Sequence, residues 1–268
     1  MPTIATNGIN LYYETHGRGP LLVLIPGLGY DSWMYSRMIP GLAEHFQVIS
    51  IDNRGSGLSD KPAGPYTAQM LAADVIGLLD DFPGVKAHIV GHSMGGFIAQ
   101  ALAIDYPERV DKLVLSATNF GGPRHIPISP PAMAVLTDVS GDPIERLRRG
   151  IAISTAPGFA EQNAEFVESW VQYRVAHPID PVGYQAQLAI GLGLLSEAAS
   201  FENKLGRVTA PTLLLFGEHD VVVPPGNAEL LAAKLPDARI EILPNAGHVF
   251  PFETPEAANK AIIDFLKE

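Results

Sequence analysis

Six short, mainly apolar runs punctuate the chain. They are residues 21–25, 47–51, 87–90, 112–116, 211–216 and 239–243. Most stop abruptly at a turn: the first at Pro26-Gly27-Leu28-Gly29, the second at Asp52-Asn53-Arg54-Gly55-Ser56-Gly57, the third at Gly91. A run with no polar face suits a strand covered on both sides, and such strands belong to parallel sheets flanked by helices. Helix-length segments lie between the runs. Over 70–82, Met70, Leu71, Val75, Leu78, Leu79 and Phe82 share a face, and 94–106 is small and apolar nearly all round, as a buried helix would be. Residues 228–235 and 255–266 supply further helices. The alternation predicts an α/β fold with a mostly parallel, doubly wound sheet. Ile9 to Glu14 alternates and predicts an antiparallel hairpin at the sheet edge.

The alternation breaks between Gly121 and Arg207. That stretch has Pro123, Pro127, Pro130 and Pro131, then helical patterning and no apolar strand. Phe159, Phe166, Trp170 and Tyr173 form one candidate stripe, and Tyr184, Leu188, Leu192 and Leu195 another. The organisation expected is a core of residues 1–120 and 208–268 carrying a helical cap, 121–207, inserted after the sixth strand.

Composition removes several function classes. The chain of 268 residues has no cysteine, so thiolate metal sites, iron–sulfur clusters and cysteine nucleophiles are excluded. Its formal charge of −11, with no basic run, disfavours nucleic acid. Arg146, Arg148 and Arg149 read as one solvated helix face. No stretch approaches the roughly 20 apolar residues of a membrane span. The N-terminus lacks the basic-then-apolar order of a secretory signal, and a soluble, cytoplasmic protein is expected. No dinucleotide fingerprint, P-loop or H-x-x-x-H spacing is present, so neither cofactor nor metal is expected.

Chemistry concentrates at Gly91-His92-Ser93-Met94-Gly95-Gly96, where the third run meets the buried helix. A G-x-S-x-G sequence in strand–turn–helix context is a nucleophile elbow. It lifts Ser93 to a helix N-terminus, where developing negative charge is favoured. A serine hydroxyl needs a base. Of eight histidines, His248 stands just beyond the last run, at the edge where parallel sheets bind ligands. His92 points away on the sharp turn and is assigned a structural role. The base needs an acid to orient it. Asp220, in Gly217-Glu218-His219-Asp220, is preferred, with Glu218 the rival. The backbone N–H groups of Leu28 and Met94 are the oxyanion donors expected. The pocket candidates are Trp33, Phe120, Met133, Trp170, Tyr184 and Val249, and Arg124 is the one plausible anchor for an anionic substrate.

With Tyr106-Pro107-Glu108-Arg109-Val110 and Ala246-Gly247-His248 added, these motifs resemble the α/β-hydrolase superfamily over nearly the whole chain. Pro26-Gly27 stands where many members have His-Gly. Ser32-Trp33, Gly64-Pro65-Tyr66-Thr67 and the elbow resemble the esterase and lactonase branch, which includes 3-oxoadipate enol-lactonase and acyl-homoserine-lactone-cleaving esterases. The resemblance implies an α/β-hydrolase fold and a carboxylesterase or lactonase acting on a small-molecule ester or lactone. Carbon–carbon bond hydrolases and cofactor-free haloperoxidases share the triad and are the alternatives. A non-catalytic receptor on the fold is the alternative of another class.

Overall fold

A computed structural model describes residues 2–138 and 140–268; Met1 and Val139 lie outside the described residues. Eight strands form one sheet: β1 Thr3–Thr6, β2 Ile9–His16, β3 Leu21–Ile25, β4 Gln47–Ile51, β5 Ala87–His92, β6 Val110–Ser116, β7 Thr212–Gly217 and β8 Ala238–Leu243. The spatial order is β1-β2-β4-β3-β5-β6-β7-β8, parallel from β4 to β8 and antiparallel at β1 and β2. The hairpin thus begins earlier than the alternation of Ile9–Glu14 suggested. Asn7 and Gly8, both at positive φ, make its two-residue turn.

The helices are α1 Ile39–Leu42, α2 Ala68–Leu79, α3 Met94–Asp105, α4 Pro130–Thr137, α5 Pro143–Ser154, α6 Phe159–Gln162, α7 Ala164–Ala176, α8 Pro181–Gly193, α9 Gly226–Ala232, α10 Phe250–Glu253 and α11 Pro255–Lys267. Strand β3 shows why its run has no polar face. Leu21, Val23 and Ile25 pack with α2 and α3, while Leu22 and Leu24 pack with α1 and α11 on the other side. Each such fully buried side chain contributes roughly 1.5–3 kcal/mol. Strand β8 departs from that pattern. It is an edge, with Ile240 and Ile242 exposed, and the charges of Arg239 and Glu241 between them mark an edge that discourages further pairing.

Helices α4 to α8 all fall between β6 and β7 and together are called the cap. The first stripe spans two helices, with Phe159 on α6 and Phe166, Trp170 and Tyr173 on α7. The second stripe is not the buried one. Leu192 and Leu195 are exposed, and α8 instead buries Gly183, Ala186, Gln187 and Ile190. Close approach decides the residue at its start: a side chain at Gly183 would strike the backbone of Gly55.

The chain runs from β3 to β4 on one side and then to β5 on the other. The carboxyl ends of β3 and β5 therefore flank the point where strand order reverses, the usual ligand crevice of such sheets. Arg54 and Asp74 form a buried ion pair beside this edge, with Arg54 Nε 2.6 Å from Asp74 Oδ2 and Asn7 Nδ2 donating to Asp74 Oδ1 at 2.9 Å. Arg54 is thus committed to tying the hairpin turn to α2.

Candidate active site

Ser93 sits between β5 and α3 with φ 55° and ψ −116°, a conformation that costs a non-glycine residue about 1–3 kcal/mol. Its neighbours make the turn possible. A Cβ at Gly91 would run into the Gly95 carbonyl, and one at Gly95 into the Ile25 carbonyl. Ser93 N–H donates to the Ser116 carbonyl of β6, and Thr118 Oγ1 donates to the Ser93 carbonyl, which pins the strained residue on both sides.

His248 Nε2 lies 3.1 Å from Ser93 Oγ, and His248 Nδ1 lies 2.8 Å from Asp220 Oδ2. A carboxylate only accepts, so Nδ1 carries the ring proton and Nε2 offers its lone pair to the serine. Asp220 Oδ1 accepts the N–H groups of Val222 and Val223 at 2.8 and 2.7 Å, and its side chain is fully buried. Glu218, the rival carboxylate, is exposed; it accepts the Asn245 N–H at 3.1 Å and lies 3.6 Å from His219 Nε2, away from His248. His92 is fully buried, with Nδ1 2.7 Å from Ser116 Oγ; burial pushes its pKa well below the usual histidine value. It packs beside His248, with ring centroids 5.1 Å apart, as a neutral wall.

The loop after β3 presses against this group. A Cβ placed on Gly27 would lie 3.3 Å from Ser93 Cβ. Tyr35 Oη holds the Ile25 carbonyl at 2.9 Å and Asn53 Nδ2 holds the Pro26 carbonyl at 3.0 Å. Within the loop, Tyr30 N–H is taken by the Gly27 carbonyl and Gly29 N–H by Gln187 Oε1. Among the described residues, neither the Leu28 nor the Met94 N–H has an acceptor. Those are the two donors expected at an oxyanion position.

A cavity of about 260 Å³ opens beside Ser93 and His248. The core side contributes Leu28, Tyr30, Met34 and Val249, and the cap contributes Leu136, Leu147, Ile151 and Tyr184. Among the described residues that line it there is no lysine, arginine, aspartate or glutamate. Of the six pocket candidates, Tyr184 and Val249 line this cavity, and Trp33, Phe120, Met133 and Trp170 do not. Trp33 stacks on Tyr173 of α7, centroids 4.2 Å apart, and Trp170 packs on Phe252 at 4.5 Å. Both bind the cap to the core. Phe120 is buried in the core behind the site, and Met133 faces outward, 46% exposed. For Trp33 and Phe120, adjacency in sequence to a catalytic loop did not carry the side chain into the cavity, because packing on Tyr173 and burial in the core claim them instead. Leu136, Leu147 and Ile151 were missed. Asp142 before Pro143, followed by Leu147 and Ile151 at helical spacing, was a readable signal for α5, and the Asp142 side chain accepts the N–H groups of Ile144 and Glu145. Arg124 does not line the cavity; it pairs with Glu202 at 2.8 Å and Glu197 at 2.7 Å.

The chain matches a family profile. The α/β-hydrolase fold profile matches residues 20–255, most of the chain. The chain belongs to the α/β-hydrolase superfamily. The structure of an enol-lactonase from Burkholderia xenovorans LB400 shares 30% identity, with both chains fully covered and a TM-score of 0.82. A thermophilic esterase from Thermogutta terrifontis shares 32%, covering 99% of this chain and 96% of its own, with a TM-score of 0.78. The 2-hydroxy-6-oxononadienedioate/2-hydroxy-6-oxononatrienedioate hydrolase of Cupriavidus pinatubonensis is 29% identical over 94% of this chain and 84% of that protein. The chain sets its candidate residues Ser93, Asp220 and His248 beyond the carboxyl ends of β5, β7 and β8.

One carboxyl beside this site is set to titrate near neutrality. Glu253 of α10 accepts Ala156 N–H from the cap at 2.6 Å and Gly247 N–H, next to His248, at 3.1 Å. Burial pushes its pKa up to about 7, against the pull of those two N–H groups. A carboxyl that holds its proton more tightly when folded contributes stability below its unfolded pKa and loses it as pH rises through the folded one. The melting temperature of the native chain is expected to fall by several degrees more between pH 5 and pH 8 than that of Glu253→Gln. Thermal scans across that range check it, and parallel curves would refute it.

Proposed function

We propose that this α/β-hydrolase is a serine esterase or lactonase that cleaves a small, neutral carboxylic ester or lactone through an acyl-enzyme. One observation carries the reading: the hydrogen-bonded chain Ser93–His248–Asp220 opens on an apolar cavity without a charged wall. The acyl group lies along Leu28, Val249 and the cap residues Leu147 and Ile151. Ser93 Oγ attacks the carbonyl carbon as its proton passes to His248 Nε2. The carbonyl oxygen gains the negative charge, and the Leu28 and Met94 N–H groups donate to it. The carbon–oxygen bond then breaks, and the leaving alkoxide takes the proton from His248. Water repeats the sequence on the acyl-serine and releases the acid.

The cavity also argues on substrate charge. Desolvating a free carboxylate in an apolar pocket is costly unless a cation meets it. Arg124, the anchor suggested by sequence, is held elsewhere by Glu202 and Glu197. This disfavours dicarboxylate substrates, whether enol-lactones or the dioates in the name of the Cupriavidus relative. The volume of about 260 Å³ lies just below the usual range of roughly 300–1,000 Å³ for ligand pockets, which favours a short acyl group.

The test compares kcat/KM for a short aryl ester, a neutral lactone and an anionic enol-lactone. A neutral substrate is expected to lead the anionic one by more than tenfold, with Arg124→Ala leaving the order unchanged. An anionic substrate ahead by more than tenfold would overturn the reading.

A further inference from the structure

Gln187 lies in the middle of α8, in the cap, yet none of its surface is exposed. Its amide reaches out of the cap in two directions. Oε1 accepts the Gly29 N–H at 3.0 Å, and Nε2 donates to the Arg54 carbonyl at 2.8 Å. Both partners belong to core loops, one after β3 and one after β4. The first is the loop that carries Leu28.

The accounting of that loop gives the contact its meaning. Tyr30 N–H closes a turn on the Gly27 carbonyl, and Gly29 N–H is taken by Gln187. Leu28 N–H is left free between them. Gly29 stands at φ 69°, a left-handed conformation, so the peptide on its amino side has an orientation that a neighbour can fix or release. Rotating that peptide would move the Leu28 carbonyl and disturb the N–H beside it. The core braces the loop upstream through Asn53 on the Pro26 carbonyl. Downstream of Leu28, Gln187 grips the loop at its backbone, on the Gly29 N–H, while Tyr173 of α7 holds the Asp31 side chain at 3.0 Å and Asp52 takes the Ser32 N–H at 2.7 Å further along.

We infer that Gln187 is a positioning residue through which the cap sets the oxyanion-binding geometry of the Leu28 N–H. The cap then does more than enclose the substrate, because its docking and the readiness of the catalytic loop become one event. An amide suits the task. It supplies one acceptor and one donor on a planar group, matching an N–H on one loop and a C=O on the other. A buried donor or acceptor left unmatched loses its solvation without replacement, so the bridge resists casual opening. The inference rests on the serine-hydrolase reading above.

The test is Gln187→Met, similar in length and without hydrogen bonds. Turnover of a short aryl ester is measured together with inhibition by an alkyl boronate, which forms a tetrahedral adduct with the serine. If Gln187 positions the oxyanion donor, kcat falls roughly tenfold to a hundredfold, below the 10²–10³ reported for removing such a donor outright, while KM stays within about threefold. Boronate affinity falls in parallel with kcat. A residue that merely holds the cap would instead change KM and the melting temperature together, with boronate affinity tracking KM. That result, or a kcat within threefold of the native value, overturns the inference. Should Gln187→Met not fold, Gln187→Asn is read by the same split, since it keeps the amide one methylene short of both partners. Failure of the native protein to turn over any ester or to bind the boronate would refute the serine-hydrolase reading itself, a separate outcome.

Discussion

Ser93→Ala is expected to lower kcat/KM for ester hydrolysis by roughly 10⁴–10⁶ while leaving the fold and its melting temperature nearly unchanged. The size follows from what is lost. Without Oγ no acyl-enzyme forms, and His248 Nε2, which lies 3.1 Å from Oγ in the native chain, has no proton to take. What survives is the binding cavity and the two free N–H groups, which still favour a tetrahedral oxyanion over the planar ester. Alanine tolerates the site sterically, but φ 55° remains a strained value for it, so no large stabilisation should accompany the change. A fluorophosphonate should label the native chain at Ser93 alone and leave Ser93→Ala unlabelled. Labelling of another serine, or a variant within a hundredfold of native activity, would remove Ser93 from the proposed role.

Asp220→Asn is expected to cost about 10⁴ in kcat at neutral pH, a larger effect than its near-identical shape suggests. The geometry explains why. Oδ1 accepts two backbone N–H groups, from Val222 and Val223. An asparagine keeps those bonds only by placing its oxygen there, which turns its NH₂ toward His248 Nδ1. A donor facing Nδ1 forces that nitrogen to be the acceptor and moves the ring proton to Nε2. The nitrogen facing Ser93 then cannot receive a proton. The prediction is checked by steady-state kinetics together with the rate of fluorophosphonate labelling, which should slow in step. Retention of more than a tenth of native activity would contradict the assigned tautomer. Glu218 cannot stand in, since it is exposed and faces the Asn245 N–H.

Much of this was legible because it depends on local chemistry. The run 21–25 had to be covered on both faces, and the structure covers Leu22 and Leu24 from one side and Leu21, Val23 and Ile25 from the other. Gly91 and Gly95 around Ser93 announced a turn too sharp for side chains, and their added Cβ atoms do collide with backbone carbonyls. Asp220 and His248 could be named because each follows a run and so falls at a strand's carboxyl end. The edge character of β8 was also written in its sequence, in the charges of Arg239 and Glu241, but a run of isoleucines drew the eye to burial instead.

The sequence by itself determined the strands, the elbow and the order of the three candidate catalytic residues, since these follow from short-range periodicity and from turns that few residue types can make. The tertiary structure alone decided which side chains face the cavity, which carboxylate meets His248, and that Arg124 is tied to Glu202 and Glu197 away from it. It also brought Gln187 across 158 positions to the Gly29 N–H. Such contacts depend on the angle at which a helix of the cap meets the sheet edge. That angle is set by the sum of many weak packings, among them Trp33 on Tyr173 and the approach of Gly183 to Gly55, and no single stretch of sequence encodes the sum.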